Sequence, residues 1–246
     1  MKWDDLYRNR ELTRKTLQAF RDDGLPAAIP LMNTESNLSG SLSGYMSDIF
    51  SALWLADNVG SFFAEGGALY IHSPIEPSGI EHGCQGWAIW GNALWDRNEK
   101  LIGYTAFYHA SRMINNEWVT HRSGTHHLYS ADVGIEDPAG NDLVTSYAVR
   151  RPDGQWALLL INKDRENAHP VRVAFEGGGT GHFSGTIRMV TFGSEQYVWH
   201  GADATAHADP NLPPVVSSID ASAQTVFTLP KASVTVLRGE VAGLTA

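Results

Sequence analysis

The residues best able to do chemistry gather in one short stretch, Ile29-Pro30-Leu31-Met32-Asn33-Thr34-Glu35-Ser36-Asn37. An apolar segment runs there into polar side chains grouped around a single carboxylate, Glu35. Such a group can serve as nucleophile or base, or as an acid when burial keeps it protonated. A second apolar segment, Ala68-Leu69-Tyr70-Ile71-His72-Ser73-Pro74, ends on His72. His72, Asn33 and Asn37 could orient Glu35 or hold substrate hydroxyls. A hydrogen-bonded histidine that merely closes a strand is the other reading of His72. The loop from Pro74 to Gly86 carries Glu76 and Glu81, which are either solvated charges or an acid catalyst. Trp87, Trp90 and Trp95 follow, flat faces that could stack on a sugar ring or pack in a core.

The flanking segments must position these groups. Asn9 to Asp23 predicts a helix, with Leu12, Thr16, Ala19 and Phe20 at helical spacing and Gly24 as its cap. A strand over 27–34 follows. The Ser/Gly/Asn stretch from Ser36 to Gly44 reads as a loop, and Ser43 could cap a helix running roughly from Gly44 to Ala64. Met46, Ile49, Phe50, Leu53, Ala56, Val59, Phe62 and Phe63 mark its buried face. A strand over 68–73 comes next. Strand, helix, strand is a parallel β-α-β unit, and ligands sit at the carboxyl ends of its strands. Gly103 to Trp118 reads as a further helix.

After about residue 120 the texture changes. Short β-type runs alternate with turn residues over 144–150, 156–162, 171–175, 186–192, 215–219, 225–229 and 233–237. Asp153-Gly154 is a hairpin turn signal. Gly177–Gly181 and Gly201–Pro214 read as loops. The spacing predicts an antiparallel β-sandwich. The expected fold class is α/β plus all-β, with domains over 1–120 and 121–246.

A chain of 246 residues can bury a sizeable core. Its net charge of -9, with scattered basic residues, argues against a nucleic-acid partner or a membrane-surface patch. No apolar run is long enough to span a bilayer, and the first residues lack a signal-peptide core. The single cysteine, Cys84, excludes an intrachain disulfide and a multi-cysteine metal site. His109, His121, His126 and His127 lack metal-ligand spacing, so neither metal nor cofactor is expected.

Two strand-helix units and a sandwich look like the last quarter of a (β/α)8 barrel with its C-terminal domain. The Thr34-Glu35-Ser36-Asn37 motif resembles the seventh barrel strand of clan A retaining glycoside hydrolases. The helix with Ala52-Leu53-Trp54-Leu55-Ala56-Asp57-Asn58 is similar to the one after that strand in family 39, 44 and 51 type enzymes. The resemblance implies that Glu35 is the nucleophile and that the substrate is a β-linked poly- or oligosaccharide. It implies Asn33, Asn37, His72, Trp87, Trp90 and Trp95 as substrate contacts. It also suggests a secreted or periplasmic protein.

The acid/base glutamate of those enzymes, usually after an asparagine on the fourth strand, has no counterpart in a strand-end setting. Asn98-Glu99 lies in a charged stretch and Asn116-Glu117 near the end of a predicted helix. The chain is then a piece of such an enzyme, a short protein that completes its barrel by association, or one that recruits Glu76 or Glu81. Uncovered edges and helix faces lead us to expect a homo-oligomer, a dimer in which a second copy completes or covers the partial barrel. A non-catalytic carbohydrate-binding or structural module is the alternative function.

Overall fold

The computed structural model describes residues 2–38, 46–72, 78–79, 91–96, 98–177, 179–201 and 205–244. The chain divides into two compact units, Met1–Ser111 with Ser194–Pro213, and Arg112–Gly193 with Pro214–Ala246. The class is α/β plus an antiparallel β-sandwich.

In the first unit a 3-10 turn, Trp3–Arg8, leads into helix α1, Asn9–Asp22. Gly24 follows at φ +94, the left-handed conformation that ends a helix without Cβ strain. Strand β1, Leu31–Ser36, pairs in parallel with β2, Gly67–His72, through helix α2, Ile49–Ala64. The cap of α2 is Asp48, whose carboxylate accepts the Ile49 amide at 2.7 Å. The helix thus starts at Ile49, later than the apolar pattern suggests, and Ser43 lies outside the described residues.

Helix α2 is buried nearly all round, including its polar Ser51, Asp57 and Ser61. α1 accounts for part of this. Asn9 Nδ2 donates to Asp57 at 3.3 Å, and Thr13 Oγ1 to Asn58 Oδ1 at 3.4 Å. The polar end of the Ala52–Asn58 motif thus ties two helices together, which satisfies a carboxylate with no solvent exposure. At the far end, Phe62 packs edge-on against Tyr70 of β2, ring centres 5.6 Å apart. A Cβ on Gly67 would meet the Phe62 ring at 2.2 Å, so only glycine lets the strand leave the helix this closely.

A small sheet follows, in the order β3, Ser78–Gly79, then β4, Ala93–Trp95, then β5, Leu101–Tyr104. Helix α3, Ala106–Met113, comes next and closes in a π-helical turn, Ile114–Trp118. The segment expected as one helix from Gly103 therefore starts as a strand, because Tyr104 pairs with Ala93.

The second unit is built on a seven-stranded antiparallel sheet. Its members are β6 (His127–Tyr129), β7 (Val144–Arg150), β8 (Trp156–Asn162), β10 (Phe175–Glu176), β11 (Thr180–Gly193), β14 (Val215–Ala221) and β16 (Ser233–Ala242). A two-stranded sheet of β9 (His169–Val171) and β15 (Phe227–Leu229) lies over one face. Val144, Leu158, Leu160, Phe183, Ile187, Phe227 and Leu237 form the core between them. The central strands do not alternate. Six of the seven residues of β7 are buried, because the other face is covered as well.

The π-helical turn supplies part of that cover. Trp118 is buried there and its indole N–H donates to the Tyr147 carbonyl at 3.1 Å. Glu117 accepts from Arg188 Nε at 2.9 Å and from Arg238 at 3.2 Å, which join the turn to β11 and β16. Arg151 donates to the Glu117 carbonyl at 2.6 Å and pairs with Asp153 at 2.8 Å. Burial would push the Asp153 carboxyl up, yet the Arg151 guanidinium holds it below its ordinary range.

The stretch Gly201–Pro214, read as a loop, contains one arm of a hairpin. Strand β12, Tyr197–His200, pairs with β13, His207–Asn211, and both belong to the first unit.

Candidate functional site

The parallel pairing brings Glu35 and His72 to the same end of the sheet. Ser36 lies opposite His72, and Asn33 opposite Tyr70. The register shifts between Asn33 and Ser36, so Glu35 sits at an irregularity, the kind of place where strands re-aim a side chain. Glu35 is exposed, and its backbone amide donates to the Asn33 side chain at 3.2 Å. Asn37 turns onto the next residue, accepting the Leu38 amide at 2.8 Å.

Ser36 is held from two directions. Tyr70 Oη donates to its hydroxyl at 2.7 Å, and His72 Nδ1 donates to its carbonyl at 2.9 Å. The carbonyl can only accept, so the proton sits on Nδ1. The His72 ring also lies 4.4 Å from the Phe107 ring of α3. Burial lowers the His72 pKa to about 4, against a smaller upward pull from the Ser36 carbonyl. It pushes the Tyr70 hydroxyl up to about 12. Both side chains are therefore neutral near pH 7, and they hold β1 by hydrogen bonds rather than charge.

Glu35, Asn33, Asn37 and His72 thus gather at one strand end, with Asn33 and His72 bonded to the backbone on either side of Glu35. Trp95 lies in β4, half-buried, opposite Leu101. Its buried indole nitrogen has no hydrogen-bond partner among the described residues. Glu76, Glu81, Trp87 and Trp90 lie outside the described residues. Ser36, Tyr70 and Phe107 are the site residues that the sequence reading did not single out. Only the two-residue spacing of Tyr70 and His72 along β2 hinted that they share a face.

Among the described residues, no group of three or more His, Cys, Asp and Glu is placed to hold a metal. His126 accepts the Thr120 amide at 3.0 Å and His121 bonds Asn116 at 3.1 Å, so two of the clustered histidines serve the chain itself. The site presents a carboxylate with a fixed backbone and an accessible side chain. Chemically, that suits attack on, or proton removal from, a bound substrate.

Against known proteins, no family model and no curated sequence matches this chain. Solved structures do. A GH51 arabinofuranosidase from Xanthomonas axonopodis pv. citri superposes with a TM-score of 0.60 at 18% identity, over 95% of this chain and 45% of that one. The GH51 alpha-L-arabinofuranosidase of Thermotoga petrophila RKU-1 gives 0.60 at 15% identity, over 98% and 50%. A GH30 endoxylanase from Clostridium papyrosolvens C71 gives 0.52 at 14% identity, over 91% and 44%. The chain shares the fold of these glycoside hydrolases. It spans half or less of their length.

Proposed function

We propose that this chain is the nucleophile-bearing part of a retaining glycoside hydrolase, with Glu35 as the nucleophile. The observation that carries the reading is the placing of Glu35 at the carboxyl end of β1, beside the end of β2, in a chain with a glycoside hydrolase fold. In a retaining mechanism the carboxylate attacks the anomeric carbon while an acid about 5 Å away protonates the leaving oxygen. Water then hydrolyses the glycosyl-enzyme. Asn33 fixes the backbone of the nucleophile, and Ser36, Tyr70 and His72 fix the strand below it. The acid/base is Glu76, Glu81 or a group supplied from another chain segment.

The substrate class is a β-linked poly- or oligosaccharide. The names of the structural neighbours, arabinofuranosidases and an endoxylanase, add arabinose- and xylose-containing polymers to the panel worth testing. The test is hydrolysis of aryl β-glucosides, β-xylosides and α-L-arabinofuranosides by the purified chain and by Glu35→Gln. Turnover that survives the substitution rejects Glu35 as nucleophile.

A second reading rests on the half-buried Trp95 of β4. It is a non-catalytic carbohydrate-binding module in which Trp95 stacks on sugar. Saccharide binding that withstands Glu35→Gln and fails in Trp95→Ala supports it.

A further inference from the structure

We propose that the second unit carries a binding site for an acidic sugar unit, a hexuronate, built from His127, Tyr129, Arg150 and Trp156 at the rim of its sheet. Three strands set these side chains side by side. His127 of β6 pairs with Arg150 of β7, and Arg150 pairs with Trp156 of β8, so the three stand in one row on one face. Tyr129 lies two residues after His127 and shares that face. Its ring centre is 4.7 Å from that of Trp156. From behind, Trp156 packs edge-on against Phe175 of the core, ring centres 5.1 Å apart. β16 continues the row with Gly239, which sets no side chain beside Trp156. Tyr129 is 46% exposed, and among the described residues of this unit no other aromatic side chain is more than half-buried to solvent. An exposed ring backed by a second ring offers a flat apolar face, which suits the C–H face of a sugar.

Arg150 sets the charge of the ligand. Its side chain is exposed and, among the described residues, its guanidinium has neither a hydrogen bond nor an ion pair. The row holds no acid, and neither does the next one, Tyr129, Ala148, Leu158 and Leu237. The nearest acid along the chain, Asp153, is taken up by Arg151 at 2.8 Å. The Arg151 amide donates to the Gln155 carbonyl at 2.9 Å, so Arg150 and Trp156 flank a closed turn and stand on a fixed backbone. A guanidinium matches a carboxylate with two parallel N–H donors. His127, also exposed, adds a ring nitrogen for a hydroxyl. A hexuronate presents a carboxylate beside a sugar ring and so uses both features. A neutral sugar would leave Arg150 idle, and an inorganic anion would leave Tyr129 idle. The choice of a sugar over another ring that bears a carboxylate rests on the carbohydrate reading above; the site itself uses none of Glu35, Asn33 or His72.

The test is isothermal titration calorimetry of the full chain with a galacturonic acid trimer and with the same trimer reduced to its neutral galactose form. The acidic trimer should bind about tenfold or more tightly than the neutral one, the gain expected of a hydrogen-bonded charge pair. Arg150→Gln should remove that difference, and Tyr129→Ala should weaken both trimers by about tenfold. Circular dichroism establishes that each variant is folded. A glutamate trimer, which carries carboxylates without a sugar ring, should bind about tenfold more weakly than the galacturonate trimer. Absence of binding overturns the proposal. So do equal affinities for the two sugar trimers, acidic binding that survives Arg150→Gln or Tyr129→Ala, or a glutamate trimer held as tightly. Glu35→Gln and Trp95→Ala should bind the acidic trimer like the parent chain, and a loss in either would move the sugar to the first unit and overturn this site. A chain that binds the trimer here but turns over no glycoside would sink the catalytic reading alone.

Discussion

His72 Nδ1 donates to the carbonyl of Ser36 across 2.9 Å, and Ser36 is the residue after Glu35. The end of β2 therefore holds the end of β1 by a bond to its backbone, not to the carboxylate. His72 acts here as a clamp on the strand that presents Glu35.

Burial of His72 makes stability depend on pH, against the smaller opposing pull of the clamp. The folded His72 pKa, about 4, lies below the unfolded value near 6.5, so the unfolded chain binds the extra proton between them. This contribution is fully present above pH 6.5 and is lost as pH falls toward 4. The difference corresponds to roughly 3–3.5 kcal/mol at most. Urea unfolding at pH 7 and pH 4.5 should show a steeper loss in the parent chain than in His72→Phe. Equal losses would remove His72 as the cause.

Glu117 should matter to the second unit more than its place in a short turn suggests. Glu117→Ala leaves Arg188 and Arg238 without their shared carboxylate. Arg188 is partly exposed and can be rehydrated, so we expect about 1–3 kcal/mol rather than the full cost of breaking a buried pair. Glu117→Gln, which keeps the shape, should lose less. Thermal unfolding of both variants measures this, and an unchanged midpoint in the alanine variant would refute it.

Asn162 is a sharper case. Its amide Nδ2 donates to the carbonyls of Asn167, Leu229 and Pro230 at 3.0, 3.2 and 2.9 Å, with no exposure. Asn162→Leu fills similar volume but takes the amide donor from those carbonyls, of which Pro230 keeps the Ser233 hydroxyl at 2.6 Å, and removes the acceptor of the Asp164 amide, which donates to Oδ1 at 3.0 Å. A loss of about 2–4 kcal/mol is expected by chemical denaturation. A loss within 0.5 kcal/mol, roughly that of an ordinary surface change, would mean that water replaces the side chain.

If the chain or its complex turns over glycosides, Asn33→Ala should lower kcat by about tenfold to a hundredfold while Glu35→Gln abolishes it. A misplaced nucleophile costs rate in this range. The fall should appear in kcat and not in KM alone; a change confined to KM would make Asn33 a substrate contact instead of a positioning residue.

The sequence made some of this legible and hid the rest for identifiable reasons. α1 was readable because its period and Gly24 agree. β7 and β8 were readable because Asp153-Gly154 sets a turn between two β-branched and aliphatic runs. That Glu35, Asn33 and His72 share one end of the β1/β2 pair was readable from their places at the ends of apolar segments. Ser36 and Tyr70 were not, since a hydroxyl pair depends on strand register, which no local pattern encodes. The β12–β13 hairpin was missed because Gly201, Pro210, Pro213 and Pro214 give it the composition of a loop. Its strand character comes from tertiary packing, with Tyr197 fully buried.

That hairpin has a practical bearing on dissection. Thr191 pairs with Val215, so β11 and β14 are themselves the arms of a hairpin, and Ser194–Pro213 is an excursion from its tip into the other unit. The main chain consequently passes between the units three times, and no single cut separates them. Truncating after residue 111 would strand twenty residues of the first unit on the second. A self-sufficient sandwich would instead begin near Arg112 and carry a tight turn spliced from Gly193 to Pro214.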